Sequence, residues 1–171
     1  FEELVEERTA ELIVINEALQ REIAERKRVE EALRESEEQY RTLFENLRDV
    51  FYRIDMAGNI LLVSPSIVQL LGYPEEEATR LNLGRDVFVL PEQWNEFMLL
   101  MKKNGYIHGF EVLLQRQDGS YRWGNASAQY YINKEGKILG VEGIVRDISE
   151  RKQAETELIA AHNELREKNE Q

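Results

Sequence analysis

Cysteine is absent from the 171 residues. Its absence excludes disulfides, a thiolate nucleophile and cysteine-ligated zinc or iron–sulfur sites. No apolar run approaches the roughly 18 residues of a membrane-spanning helix, so direct membrane insertion is not expected. No signal peptide is readable, and the opening FEELVEERT looks cut from a longer chain, one compatible with the cytoplasm and possessing further segments upstream, membrane-anchored or not. Cations are outnumbered, 22 Lys and Arg against 33 Asp and Glu, for a net charge of -11. Phosphate backbones demand clustered cations, so a nucleic-acid partner is excluded, and an acidic membrane surface would repel the chain. A Ser/His/Asp set, a glycine-rich phosphate loop and an HExxH motif are also missing, which leaves the segment without recognisable catalytic machinery.

What remains is rich in charge. With 42% hydrophobic residues the chain holds one compact domain, but 32% charged residues and a mean hydropathy of -0.54 require that part of it be solvated helix. Residues 1 to about 47 contain no proline or glycine and are filled with Glu, Arg, Ala, Leu and Gln, which predicts a single long helix. With Val5 at heptad position a, the a positions include Leu12, Leu19, Arg26, Leu33, Tyr40 and Leu47. The d positions include Ile15, Glu22, Val29 and Leu43. A mostly apolar seam at 3.5-residue spacing predicts a parallel coiled coil. Arg8, Glu22, Arg26 and Ser36 interrupt it, and polar seam residues weaken a coiled coil while restricting its register.

The period then changes. DVFYRID (49 to 55) and NILLVS (59 to 64) read as two strands around Met56-Ala57-Gly58, and Ser64-Pro65 predicts a helix start with Ser64 as cap. Short helical pieces, PSIVQLLG and YPEEEAT, precede a longer helix from Pro91 to a closing Gly105. FEVLLQR, YRWGNASAQYYIN and KILGVEGIVRD read as three further strands, joined at Asp118-Gly119 and at Asn133 to Gly136. The fold class is therefore α+β with an antiparallel sheet.

FYRIDMAGNILLVSPS, LLGYPEEE and RQDGSYRWGNASAQYYINKEGKILGVEGIVRDISERK together resemble the PAS sensory domain with its C-terminal PAC strand motif. The flanks resemble the coiled-coil linkers of bacterial or archaeal sensor histidine kinases and diguanylate cyclases. The resemblance implies a five-stranded sheet in the order 2-1-5-4-3 with small helices enclosing a pocket on one face. It also implies a homodimer and an output domain further along the same chain. The domains expected are a linker helix at 1–39, the PAS domain at 40–149 and a C-terminal signalling helix at 150–171.

RDISERK at 146 to 152 nearly repeats REIAERK at 21 to 27, and RVEEAL is answered by QAETEL, so that Val29 and Leu33 correspond to Ala154 and Leu158. The second seam continues to Leu165. Only the second copy offers helix caps, Asp147 or Ser149, with Asp147 and Glu150 spaced as a capping box. Asp147, Ile148 and Ser149 are accordingly the expected signal junction.

By the same resemblance the pocket candidates are Trp94, Phe97 and Met101 on the long helix and Leu139, Val141, Gly143 and Val145 on the last strand, whose alternation leaves one apolar face. Gly143 either admits a ligand or lets the long helix pack closely. Trp94 and Trp123 are aromatic enough to stack on a noncovalent flavin, though tryptophans more often serve a core or interface. Haem is not expected, because Pro91 to Lys103 holds no histidine, and a flavin–cysteinyl adduct is excluded without cysteine. The cofactor expectation is none, or an unknown small molecule. His108 reads as a surface residue, and His162 lacks the sequence around a kinase phosphoacceptor. Glu75, Glu76 and Glu77 read as a solvated first turn favoured by the helix dipole, not as metal ligands.

Overall fold

The structure is a computed structural model that describes residues 1–171. The chain divides into two compact units, Phe1–Leu43 and Phe44–Gln171. The first is almost entirely one helix, α1 (Glu2–Glu45), 44 residues and ~66 Å long at 1.5 Å per residue. No residue of α1 is buried. Leu12, Ile15, Leu19, Val29 and Leu33 are all exposed. Arg26 reaches back to Glu22 within its own helix at 3.2 Å. Because α1 ends at Glu45, Leu47 lies beyond the helix and does not extend the seam.

The second unit carries a five-stranded antiparallel sheet in the order β2-β1-β5-β4-β3. The strands are β1 (Val50–Asp55), β2 (Ile60–Val63), β3 (Tyr106–Gln115), β4 (Tyr121–Ile132) and β5 (Ile138–Asp147). Alternation places Val50, Tyr52 and Ile54 of β1 in the core and Phe51, Arg53 and Asp55 on the opposite face. The β1–β2 turn is closed by Asp55, whose carboxylate accepts from the Ala57 and Asn59 amides, both at 2.9 Å.

Helices cover the inner face. They are α2 (Ile67–Leu71), α3 (Glu75–Ala78) and α4 (Pro91–Asn104); α5 (Ser149–Asn169), none of whose residues is buried, follows the sheet. Pro91 opens α4 and Gly105, at φ +77°, closes it, as the sequence predicts. Phe97 and Met101 of α4 are fully buried among Ile54, Val87, Val112 and Val141.

Ser64 does not cap α2. Its hydroxyl accepts from the Phe51 amide at 2.9 Å and pairs with Ser66 Oγ at 2.8 Å, and Ser66 donates to the Asp49 carbonyl at 3.0 Å. The two buried hydroxyls form a relay between an amide and a carbonyl that flank the start of β1. A hydroxyl spent there cannot serve a helix end, and α2 starts without a side-chain cap. A π-turn at Leu83–Val87, closed by Phe88 N–H donating to Leu83 O at 2.9 Å, is not among the elements read from the sequence.

The last strand departs from simple alternation. Tyr131 pairs with Gly140 but Ile132 pairs with Ile138, so Leu139 is the extra residue of a β-bulge and is exposed. Leu139 therefore does not face the helices, contrary to the sequence expectation. Gly143 is also corrected, since a Cβ there would lie 1.9 Å from the Ser127 carbonyl oxygen of β4. The missing side chain accommodates neighbouring backbone, leaving no added space for a ligand or for α4.

Candidate functional site

Between the sheet and α2, α4 and the π-turn lies an apolar cavity of about 30 Å³. Its wall is assembled from every layer of the domain: Val50 and Tyr52 of β1, Leu70 and Leu71 of α2, Val87 and Phe88 at the π-turn, Phe97 of α4, Ala126 of β4 and Val145 of β5. Tyr52 is the one polar side chain of that wall. Its hydroxyl donates to the Ser127 carbonyl at 3.4 Å, and burial pushes its pKa well above the ordinary tyrosine value. It stays neutral. The cavity thus offers no charge and no cation to an anionic or metal-bearing guest.

Of the seven pocket candidates, Phe97 and Val145 line this cavity. Met101 and Val141 are fully buried but belong to the packed core beside it. Trp94 stands at its margin, stacked on Phe97 with centroids 5.8 Å apart and lying against Gly58 and Gly84. The indole presses on two backbone segments that carry no Cβ, and so braces the turn and the π-turn. Trp123 is far from that role, because its indole lies under the Lys152 ammonium at 4.9 Å. Neither tryptophan lines the cavity.

His108 sits exposed on a β3 bulge and His162 is exposed on α5. Glu75, Glu76 and Glu77 are exposed on α3, and no group of three His, Cys, Asp or Glu is gathered where it could hold a metal ion.

The sheet-to-helix junction is built around Trp123. Its carbonyl accepts from the Ile148 amide at 2.9 Å, and its own amide donates to Ser149 Oγ at 2.9 Å. Asp147 accepts from the Ser149 amide at 2.9 Å and lies 4.0 Å from Arg122 Nε. Ile148 is buried, which pins the chain between strand and helix. The capping expectation is thus corrected in detail. Ile148 occupies the cap position, Asp147 holds the first helical amide from one residue earlier, and Glu150 completes no capping box. Ser149, the alternative cap, instead ties the helix to β4. Trp123 is the junction residue that sequence reasoning misplaced, and the signal for it was weak, since strand pairing is needed to set it beside Ser149.

Three comparisons bear on this arrangement. Sporulation kinase C of Bacillus subtilis is 24% identical over 131 residues, which cover 76% of this chain and 30% of the kinase. The chain therefore spans less than a third of that relative. A PAS domain of an HTR-like protein from Haloarcula marismortui superposes with a TM-score of 0.58 at 25% identity, covering 71% of this chain and 99% of that one. A domain of a sensory box sensor histidine kinase/response regulator from Geobacter sulfurreducens gives 0.53 at 24% identity, with 67% and 96% covered. The PAS fold family model matches residues 38–148, the stretch that holds the sheet, the cavity and the start of the junction. This chain belongs to the PAS family, whose domain is a sensory, non-catalytic module.

Proposed function

We propose that the chain is the sensory and signal-relay module of a larger cytoplasmic signal-transduction protein, a sensor histidine kinase. It dimerises through parallel coiled coils and the PAS domain. It passes a ligand- or interface-dependent change through α5 to an output domain in the same chain. The observation that carries this reading is the short path from cavity to helix. Val145 lines the cavity, and two residues later Asp147 holds the first amide of α5. The exposed apolar stripes support the dimer, Leu12 to Leu33 on α1 and Leu158 and Leu165 on α5, since such faces gain from burial against a second copy. No helix is long and apolar enough to cross a membrane.

The test fills the cavity and reads the helix. A cysteine-free chain takes one spin label cleanly at Asn163→Cys. Ala126→Leu, with Val63→Ile as a milder filling, is expected to shift the label-to-label distance distribution in the dimer while circular dichroism stays native. An unmoved distribution in folded variants reduces the module to a dimerising spacer, and light scattering from a monomer at micromolar concentration removes the dimer.

A further inference from the structure

The first turn of α5 carries two cations, Arg151 and Lys152, and both turn back onto the sheet. They converge on one carboxylate, Glu111, which stands on β3, two strands away from the β5 segment that launches the helix. Lys152 Nζ lies 2.5 Å from Glu111 Oε2, and Arg151 Nη2 donates to the other oxygen, Oε1. Each carboxylate oxygen therefore has its own cation. Lys152 also covers the Trp123 ring of β4, so it contacts both strands beyond the junction. Glu155, one turn further along α5, takes the Nε of Arg151 at 3.5 Å and holds that guanidinium in line with the helix.

The backbone junction and this clasp fix different things. The bond from the Ile148 amide to the Trp123 carbonyl and the one from the Trp123 amide to Ser149 Oγ fix where the helix begins. They act at a single point and leave the helix free to pivot about it. A second attachment, displaced across the sheet, removes that freedom. We propose that Glu111 is the positioning residue that sets the direction in which α5 leaves the domain, by clasping Arg151 and Lys152 of its first turn. This rests on the relay reading, because direction matters only if α5 transmits. The clasp is only partly buried and built of charge, which makes it readily opened. Other polar side chains near it are Arg146, which is committed to Asp49 at 3.0 Å, and His108 on the same strand. Neither competes for Glu111 in the structure.

Glu111→Gln keeps the shape and removes the charge. In the 171-residue chain it is expected to raise amide exchange over residues 152–156 by about tenfold while amides of β5 keep their wild-type protection. Trp94→Phe leaves Trp123 as the sole tryptophan, and in that background Glu111→Gln is expected to alter its fluorescence as Lys152 departs. High salt is the control that a merely structural role would not pass. At 1 M, where the screening length falls to about 3 Å, wild type is expected to exchange like Glu111→Gln and the variant to change little. Exchange within twofold of wild type overturns the clasp, as does a parallel rise throughout β5. If Glu111→Gln frees the helix but cavity filling leaves the Asn163 label unmoved, the clasp stands and the relay fails. If Glu111→Gln changes nothing, the clasp fails whatever the cavity variants do.

Discussion

Asp147 is the residue whose replacement most directly weighs the handover from sheet to helix. It accepts one amide hydrogen bond, from Ser149, and its contact with Arg122 is 4.0 Å long between side chains that are each about 40% exposed. Losing an acceptor at a helix start costs about 1 kcal/mol. The long exposed ion pair adds a few tenths of a kcal/mol at most, roughly. Asp147→Ala should therefore lower stability by ~1 kcal/mol in urea denaturation, or about 4 °C in melting temperature for a domain of this size. Asp147→Asn keeps the acceptor and drops the charge, so it should remain close to wild type. Asp147→Glu keeps the charge but moves the acceptor outward by one methylene, so it should resemble alanine in the blurring of the helix start. With the label at Asn163, both alanine and glutamate should broaden the distance distribution. A loss beyond ~3 kcal/mol would show Asp147 inside a buried network, and a loss equal for alanine and asparagine would show that charge, not capping, was the contribution.

Gly143→Ala should be far more severe than a usual surface change, above ~3 kcal/mol, because the added methyl meets a backbone carbonyl in the centre of the sheet. A melting temperature within 3 °C of wild type, roughly, would refute that geometry. Ser64→Ala breaks a buried hydroxyl relay and orphans the Phe51 amide, at a cost of about 1–3 kcal/mol by denaturant titration, and Ser64→Thr should recover little if the relay is tightly packed. Acid should destabilise the domain. Asp86, bound first by Arg85 and then by the Asn82 amide, and Asp118, bound by the Ser120 hydroxyl and amide, both sit below the usual carboxylate range. Depressed folded values mean stability that is full above the unfolded pKa near 4 and lost as pH falls through the folded ones. An unfolding free energy that is flat from pH 5 to about pH 2 would contradict this.

The periodic parts of the fold were legible in the residues themselves. The strand at YRWGNASAQYYIN, the Asp118-Gly119 turn and the Pro91 and Gly105 bounds of α4 each rest on signals within a few positions, and each appears where it was read. The strand order 2-1-5-4-3 came from the resemblance alone, since pairing partners leave no local trace. Leu139 was misplaced because a bulge is defined by the strand opposite, and alternation counts only its own strand. Ser64 was misread because its amide partner lies 13 residues back. The π-turn carried one usable hint in Asn82, whose side chain accepts from the Arg85 amide. The Glu111 clasp spans 40 residues and was invisible for the same reason as the bulge.

The pairing of β1 with β5 has a mechanical consequence. Val50 opens β1 directly opposite Val145 near the end of β5, and beside them Asp49 binds Arg146 at 3.0 Å. The folded unit is therefore pulled from two adjacent points at one end of a single antiparallel ladder. Tension between those points peels the ladder open, loading the Asp49–Arg146 pair first and then one rung at a time, whereas shear would load all the rungs together. The domain is soft to being drawn apart at its ends. β5 is held on its other side by β4, through the Ile148–Trp123 bond among others, so such a pull meets that ladder as well, while the β3–β4 pairing stays in reserve. Optical-trap extension from residues 47 and 150 should accordingly show a low first rupture force, lowered further by Arg146→Ala.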